Sequence, residues 1–263
     1  MSKINRTKSS LIDTKKEINF VFNGKKYKGI KGDTLGSALL ANNVSLIGRS
    51  FKYHRPRGII SHGSEEPNGL VELINDHYNE PNTKITTLEL YEGLKAKSQN
   101  CWPSVKYDLM SINDKLSNFI SAGFYYKTFM WPSSFWEKIY EPLIRKVAGL
   151  GSLSLSDSSR NSVKGFLHCD VLIIGSGPSG LVSAYIAGIS GAKVILVEED
   201  FVFGGSLNNE TFTISDMLAQ DWVKFILKDL NKLSNVKLMK KTEIIGMFDH
   251  GIFGAIEKNK YKK

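Results

Sequence analysis

Residues 170–200 read DVLIIGSGPSGLVSAYIAGISGAKVILVEED. They spell a strand, a glycine-rich turn, a helix and a second strand ending in acid, the order of a dinucleotide-binding βαβ unit. Val171-Leu172-Ile173-Ile174 is a short continuous apolar run. Such a run predicts a parallel strand buried on both faces. Gly175 permits the tight turn, Gly177 lets a pyrophosphate approach the backbone, and Gly180 lets the helix pack close to the sheet. Free N–H groups and a partial positive charge at the helix start favour phosphates. Leu181, Ala184, Tyr185 and Gly188 recur at helical spacing, and Gly191 closes the helix. Val194–Val197 is the second strand. Glu198 at its end can accept from ribose hydroxyls and repels a 2′-phosphate, which favours NAD or FAD over NADP. Gly204-Gly205, six residues beyond Glu198, is a second glycine pair of the kind found in flavoprotein reductases. The motif alone leaves NAD and FAD open.

Beyond this unit, Ile214, Met217, Leu218, Trp222, Phe225, Ile226, Leu230 and Leu233 repeat at spacings of three and four. They predict an amphipathic helix of about 20 residues. Val236–Lys240 and Glu243–Phe248 read as strands. Upstream, residues 18–30 (INFVFNGKKYKGI) place two strands around Asn23-Gly24, a strong hairpin signal. Asp33 then caps a helix through Ala41, with Leu35, Ala38 and Leu39 facing inward. Hairpin followed by helix is how a β-grasp, ferredoxin-like domain begins.

The fold expected is α/β. A basic disordered tail (1–16) leads to a β-grasp domain (17–97). An aromatic-rich connecting or interface region (98–150) and a serine-rich linker (151–167) follow, then an incomplete Rossmann-type FAD/NAD(P)-binding domain (168–263). Residues 49–58 (RSFKYHRPRG) gather five basic or imidazole side chains around two aromatics, readable as an anion or cofactor contact or as a basic exposed loop. Residues 123–142 hold eight aromatics. Exposed aromatic area is costly, so they predict core or interdomain packing, or a subunit interface.

Composition narrows the function classes. The net charge of +9 rests on 29 lysines and six arginines spread along the chain, a solvated surface that argues against a nucleic-acid reader. No apolar run approaches a membrane span, and the first 17 residues lack the core of a signal peptide, so the cytoplasm is expected. Cys101 and Cys169 are the two cysteines, far apart and outside any CxxC. The five histidines show no ligand spacing, and no metal site is expected. No catalytic constellation stands out, so no catalytic residue is assigned.

Several stretches resemble, in order, the N-terminal part of the α subunit of heterotetrameric sarcosine oxidases. They are GDTLGSALLANNV, GRSFKYHRPRGI, GSEEPNGLVEL, EPNTK, GFYYKTFMWPSSFWEKIYEPLIRKVAGLG, DVLIIGSGPSGL and VILVEEDFVFGGSL. The resemblance implies a first domain similar to a 2Fe-2S ferredoxin domain. The corresponding loop, RGIISHGSEEPN, has no cysteine, and a cluster normally needs four thiolates, so no iron–sulfur cluster is expected. It implies NAD in the Rossmann site, FAD in a β subunit and FMN between α and β. It further implies γ and δ partners and oxidative demethylation of sarcosine to glycine, with tetrahydrofolate bound by the C-terminal part of α.

Carried onto matching positions, the NAD contacts are Gly175, Gly177, Ser179 and Gly180 at the pyrophosphate. Glu198 and Glu199 hold the adenosine ribose, with Asp200 beside them. Gly205 and Ser206 close the phosphate side, and the Ile244 backbone meets adenine. Ser179 stands where alanine is usual. The family α subunit is several times longer, so the chain is expected to be a fragment or split product lacking the folate domain. Three readings follow: a non-catalytic NAD-holding scaffold, a self-sufficient FAD enzyme, or an inactive remnant.

Overall fold

The computed structural model describes residues 12–75, 78–120, 122–123, 129, 131–147, 151 and 163–258. The chain divides into two compact units, Met1–Arg160 and Asn161–Lys263.

The first unit is built on a five-stranded sheet. Its strands are β1 (Asp13–Phe22), β2 (Lys25–Lys31), β5 (Leu70–Ile74), β6 (Asn79–Lys84) and β7 (Leu94–Ser98), in the order β2-β1-β7-β5-β6. The short strands β3 (Gly48–Arg49) and β4 (Pro56–Arg57) pair with each other outside it. The β1–β2 hairpin turns at Asn23-Gly24, both with positive φ, as a primed two-residue turn requires. In β7, Leu94, Ala96 and Ser98 are buried while Lys95 and Lys97 face out. That period of two gives the sheet one apolar face. The Leu35–Ala41 helix lays fully buried Leu35, Ala38 and Leu39 against Phe20, Phe22, Val71 and Leu73. β1 begins at Asp13, so residues 13–16 belong to the sheet, not to a tail. Residues 1–11 of the expected tail lie outside the described residues.

Thr34, not Asp33, caps the helix. Its side chain accepts from Ser37 N–H and the Ser37 hydroxyl answers at Thr34 N–H. Asp33 is buried instead, accepting from Ile30 N–H (2.8 Å) and the Ser37 hydroxyl (2.9 Å).

Two side chains of the RSFKYHRPRG loop, Arg49 and His54, turn inward. The Arg49 guanidinium donates to the carbonyls of Val105, His54 and Lys106. His54, 3% exposed, places Nδ1 2.6 Å from Asp108 Oδ2. Arg55 pairs with Asp114 across the face of Tyr53. Arg49, His54 and Arg55 thus contact the 101–115 segment, while Arg55, Pro56 and Arg57 stay exposed, so the loop is part anchor and part exposed basic surface. The aromatic region is not core among the described residues: Trp131 is 84% and Phe119 69% exposed. Residues 124–128 and 130 lie outside the described set.

The second unit carries a parallel sheet of β8 (Val171–Ile174), β9 (Val194–Val197) and β12 (Val236–Met239), in the order β12-β9-β8. The Pro178–Ile189 and Ala219–Leu230 helices bury Leu181, Ala184, Val223, Ile226 and Leu230 with Val194 and Leu196. β9 is buried throughout. β8 is not, since Val171 is 36% and Ile174 57% exposed. Among the described residues β8 pairs with β9 alone, and an edge strand cannot be covered as a central one is.

The second helix is shorter than its apolar period. Ile214, Met217 and Leu218 fall in a hairpin of β10 (Thr213–Ile214) and β11 (Met217–Leu218), turned at Ser215-Asp216, both with positive φ. The left-handed turn ends the helical path, leaving 12 residues. An antiparallel pair, β13 (Thr242–Phe248) and β14 (Ile252–Glu257), follows β12. Among the described residues no helix is long and apolar enough to cross a membrane.

Candidate dinucleotide site

Three short segments meet at the C-terminal ends of β8 and β9, where open α/β sheets hold ligands. The first is Gly175–Gly180. Gly175 has φ +92°, and its N–H donates to Val197 O. A Cβ at Gly180 would lie 2.0 Å from Gly175 O, so only glycine lets the helix start this close to the strand. A Cβ at Gly177 would meet nothing within 4 Å, which leaves open space beside the first helical turn. Gly177 caps the helix, Pro178 follows it, and Ser179 is exposed in that first turn.

The second segment is Glu198–Asp200. Glu198 is 8% exposed and bound from beneath the loop. Ser176 donates both its N–H (2.9 Å) and its hydroxyl (2.5 Å) to Glu198 Oε2, and Asp200 N–H donates to Oε1 (3.0 Å). A carboxylate offers about four acceptor positions, so about one remains, on Oε1. Glu198 thus has room for about one further donor. Glu199 is exposed. Burial raises Asp200 to about 6, with the Glu198 and Glu199 charges adding and the Phe201 N–H and Lys241 opposing.

The third segment is the Gly205–Asn208 turn. Gly204 N–H donates to Ser176 Oγ (3.0 Å), and a Cβ at Gly205 would lie 3.2 Å from the Gly177 backbone. Gly205 and Ser206 therefore stand beside the glycine loop, both exposed. Ile244 is more distant. Thr242 N–H donates to Glu198 O (2.8 Å) and Lys241 N–H to Asp200 O (2.9 Å). Ile244 is two residues further along β13, on the same face as Thr242 and half-buried.

Ser176 ties all three segments together and is fully buried, yet sequence reading passed it over. Its signal was weak, because the residue between the first two glycines has no fixed chemistry in the motif.

These features fit a dinucleotide: an open glycine turn, donors at a helix N-terminus and an acid at the strand end. Comparison with known proteins gives the same class. Residues 170–249 match the family described as FAD dependent oxidoreductase, and residues 15–101 match the 2Fe-2S iron-sulfur cluster binding domain. Sarcosine oxidase subunit alpha of Rhizobium meliloti (strain 1021) is 48% identical over 98% of this chain. The chain is similar, along nearly its whole length, to part of sarcosine oxidase subunit alpha. The Corynebacterium sp. (strain U-96) subunit is 26% identical over 93% of the chain. The chain spans 26% and 21% of these two relatives. Among solved structures, L-proline dehydrogenase from P. horikoshii shares the fold with a TM-score of 0.57 and 17% identity, over 97% of this chain and 39% of that one.

Proposed function

We propose that this chain is the nucleotide-holding, N-terminal portion of a sarcosine oxidase alpha subunit, and that it is not catalytic alone. The carrying observation is the Ser176–Glu198 pair beneath an open glycine turn, with backbone donors above it. NAD is the nucleotide proposed. Its pyrophosphate lies on Gly175, Gly177, Ser179 and Gly180, with Gly205 and Ser206 closing that side. Its ribose meets Glu198, Glu199 and Asp200, and its adenine meets the Ile244 backbone. Three consecutive carboxylates at the ribose end disfavour a 2′-phosphate by charge repulsion.

The oxidative demethylation of sarcosine belongs, in this reading, to a complex with beta, gamma and delta subunits. FAD is carried by the beta subunit and FMN lies at its boundary with alpha. The first unit acts as a cluster-free scaffold. Its exposed aromatics, Trp131 and Phe119 among them, support a subunit contact, since large exposed apolar patches mark interfaces.

A second reading has FAD itself in the glycine site, and the family match over 170–249 favours it. Denaturing the purified protein and identifying the released nucleotide separates the two. A colourless protein that releases NAD supports the scaffold. A yellow protein that releases FAD and reduces an electron acceptor overturns it.

A further inference from the structure

We propose that residues 60–69 form an anion cradle which the chain fills with its own Glu66, in the place an iron–sulfur cluster takes in the domain family matched here. Glu66 is 1% exposed. Its Oε2 accepts from Ile60 N–H (2.8 Å) and Ser61 N–H (2.6 Å), and its Oε1 from Asn68 N–H (2.7 Å). The nearby Gly69 N–H also favours the charged form. Burial raises the Glu66 pKa, and these backbone groups outweigh it, so the group ends below the ordinary carboxylate value. Three N–H groups from two stretches of the loop converge on one carboxylate, an anion-binding concavity akin to those that hold phosphates and iron–sulfur clusters elsewhere.

The loop is fixed from outside as well. The Thr86 hydroxyl donates to Gly63 O (2.6 Å), Ile85 N–H donates to Gly69 O (2.9 Å), and the Lys84 ammonium donates to Ser64 O.

The residues present do not fit a cluster. Ferredoxins of the plant type space three of their four cysteines as C-x4-C-x2-C. With Glu66 in the middle place, that spacing falls on Ser61 and Gly69. Ser61 donates its N–H to the carboxylate, and neither residue carries a thiol. Cys101 is a half-buried free thiol, and Cys169 belongs to the other unit. Among the described residues no three His, Cys, Asp or Glu side chains are grouped to hold a metal. A cluster is an anion surrounded by N–H donors. The carboxylate satisfies the same donors with no redox chemistry, so the domain keeps the ferredoxin loop as structure.

Amide hydrogen exchange on the full chain, with Glu66→Ala and Glu66→Gln variants, tests this. Glu66→Ala is expected to speed exchange at Ile60, Ser61 and Asn68 by roughly tenfold or more, and to lower the thermal midpoint by about 5 °C. Added formate is expected to restore protection in that variant and to leave the wild type unchanged. Glu66→Gln keeps one carbonyl acceptor and is expected to fall between the two, so it carries the test if the alanine variant does not fold. Unchanged protection at the three amides in either variant overturns the cradle, as does an absence of formate rescue in folded Glu66→Ala. Anaerobic treatment of the wild type with ferrous iron and sulfide is expected to leave it colourless. Stoichiometric bound iron and sulfide with cluster absorbance would overturn the substitution of Glu66 for a cluster.

Discussion

The Ser176 hydroxyl donates to Glu198 Oε2 at 2.5 Å, and Ser176 Oγ in turn accepts from Gly204 N–H at 3.0 Å. One buried hydroxyl thus joins the glycine loop, Glu198 at the strand end and the second glycine pair. Ser176→Ala removes the donor and leaves Gly204 N–H without its acceptor. The loss expected is about 2 kcal/mol of stability in the second unit, the scale of a hydrogen bond to a charged group. Dinucleotide affinity should fall roughly tenfold. Denaturant unfolding and calorimetric titration check both; wild-type values for the variant would remove Ser176 from the site.

Gly177 and Gly180 should respond oppositely to a side chain. At Gly177 a Cβ meets nothing, so Gly177→Val is expected to fold normally and lose bound nucleotide. At Gly180 a Cβ collides with Gly175 O, so Gly180→Val is expected to destabilise the unit. Nucleotide content and circular dichroism separate the two outcomes. A Gly177→Val protein with full occupancy would refute the placement of the pyrophosphate.

Asp200 gives a pH dependence of definite sign. Its folded pKa of about 6 stands above its ordinary 3.8. Between those values the folded protein holds more protons than the unfolded chain, so stability falls as pH rises through this window. Asp200→Asn should therefore be more stable than wild type at pH above 6, by on the order of 1–2 kcal/mol after solvent screening. The gain should vanish below the ordinary carboxylate pKa. Urea midpoints across pH measure it; a gain that grew on acidification would contradict the assignment.

Asp108 is the anchor of the first unit's long segment. Its carboxylate faces buried His54 and also accepts Trp102 N–H (3.0 Å). Asp108→Ala strands buried polar groups on both sides, and a loss of about 3–5 kcal/mol is expected. Thermal unfolding of the full chain should show the first unit melting early while the second is unchanged. An unshifted transition would mean the pair contributes nothing.

The βαβ unit was legible because its demands are local. Gly175 and Gly191 answer left-handed backbone conformations, Gly180 a close approach to Gly175 O, and the apolar runs answer burial. Period alone misled at Ile214–Leu218, where a two-residue turn with positive φ outweighs the helical spacing. It misled again at β8, whose apolar run matches a central strand but lies at an edge among the described residues. The basic run of residues 49–57 leaves an anion contact and an exposed loop both open, because side-chain direction is not written in composition. Arg49 and His54 turn to the carbonyls of Val105 and Lys106 and to Asp108, more than 50 residues away.

The sequence by itself determined the ligand class, the strand–turn–helix that offers it and the want of cysteines in the ferredoxin loop. Each of these follows from residue type and short spacing. Tertiary structure decided which polar groups are already engaged. Glu198 keeps about one acceptor position because Ser176 and Asp200 take the others. Glu66 is an anion within a ring of N–H groups because the loop closes around it. A buried hydrogen bond depends on where distant backbone brings its donors, and spacing along the chain does not carry that information.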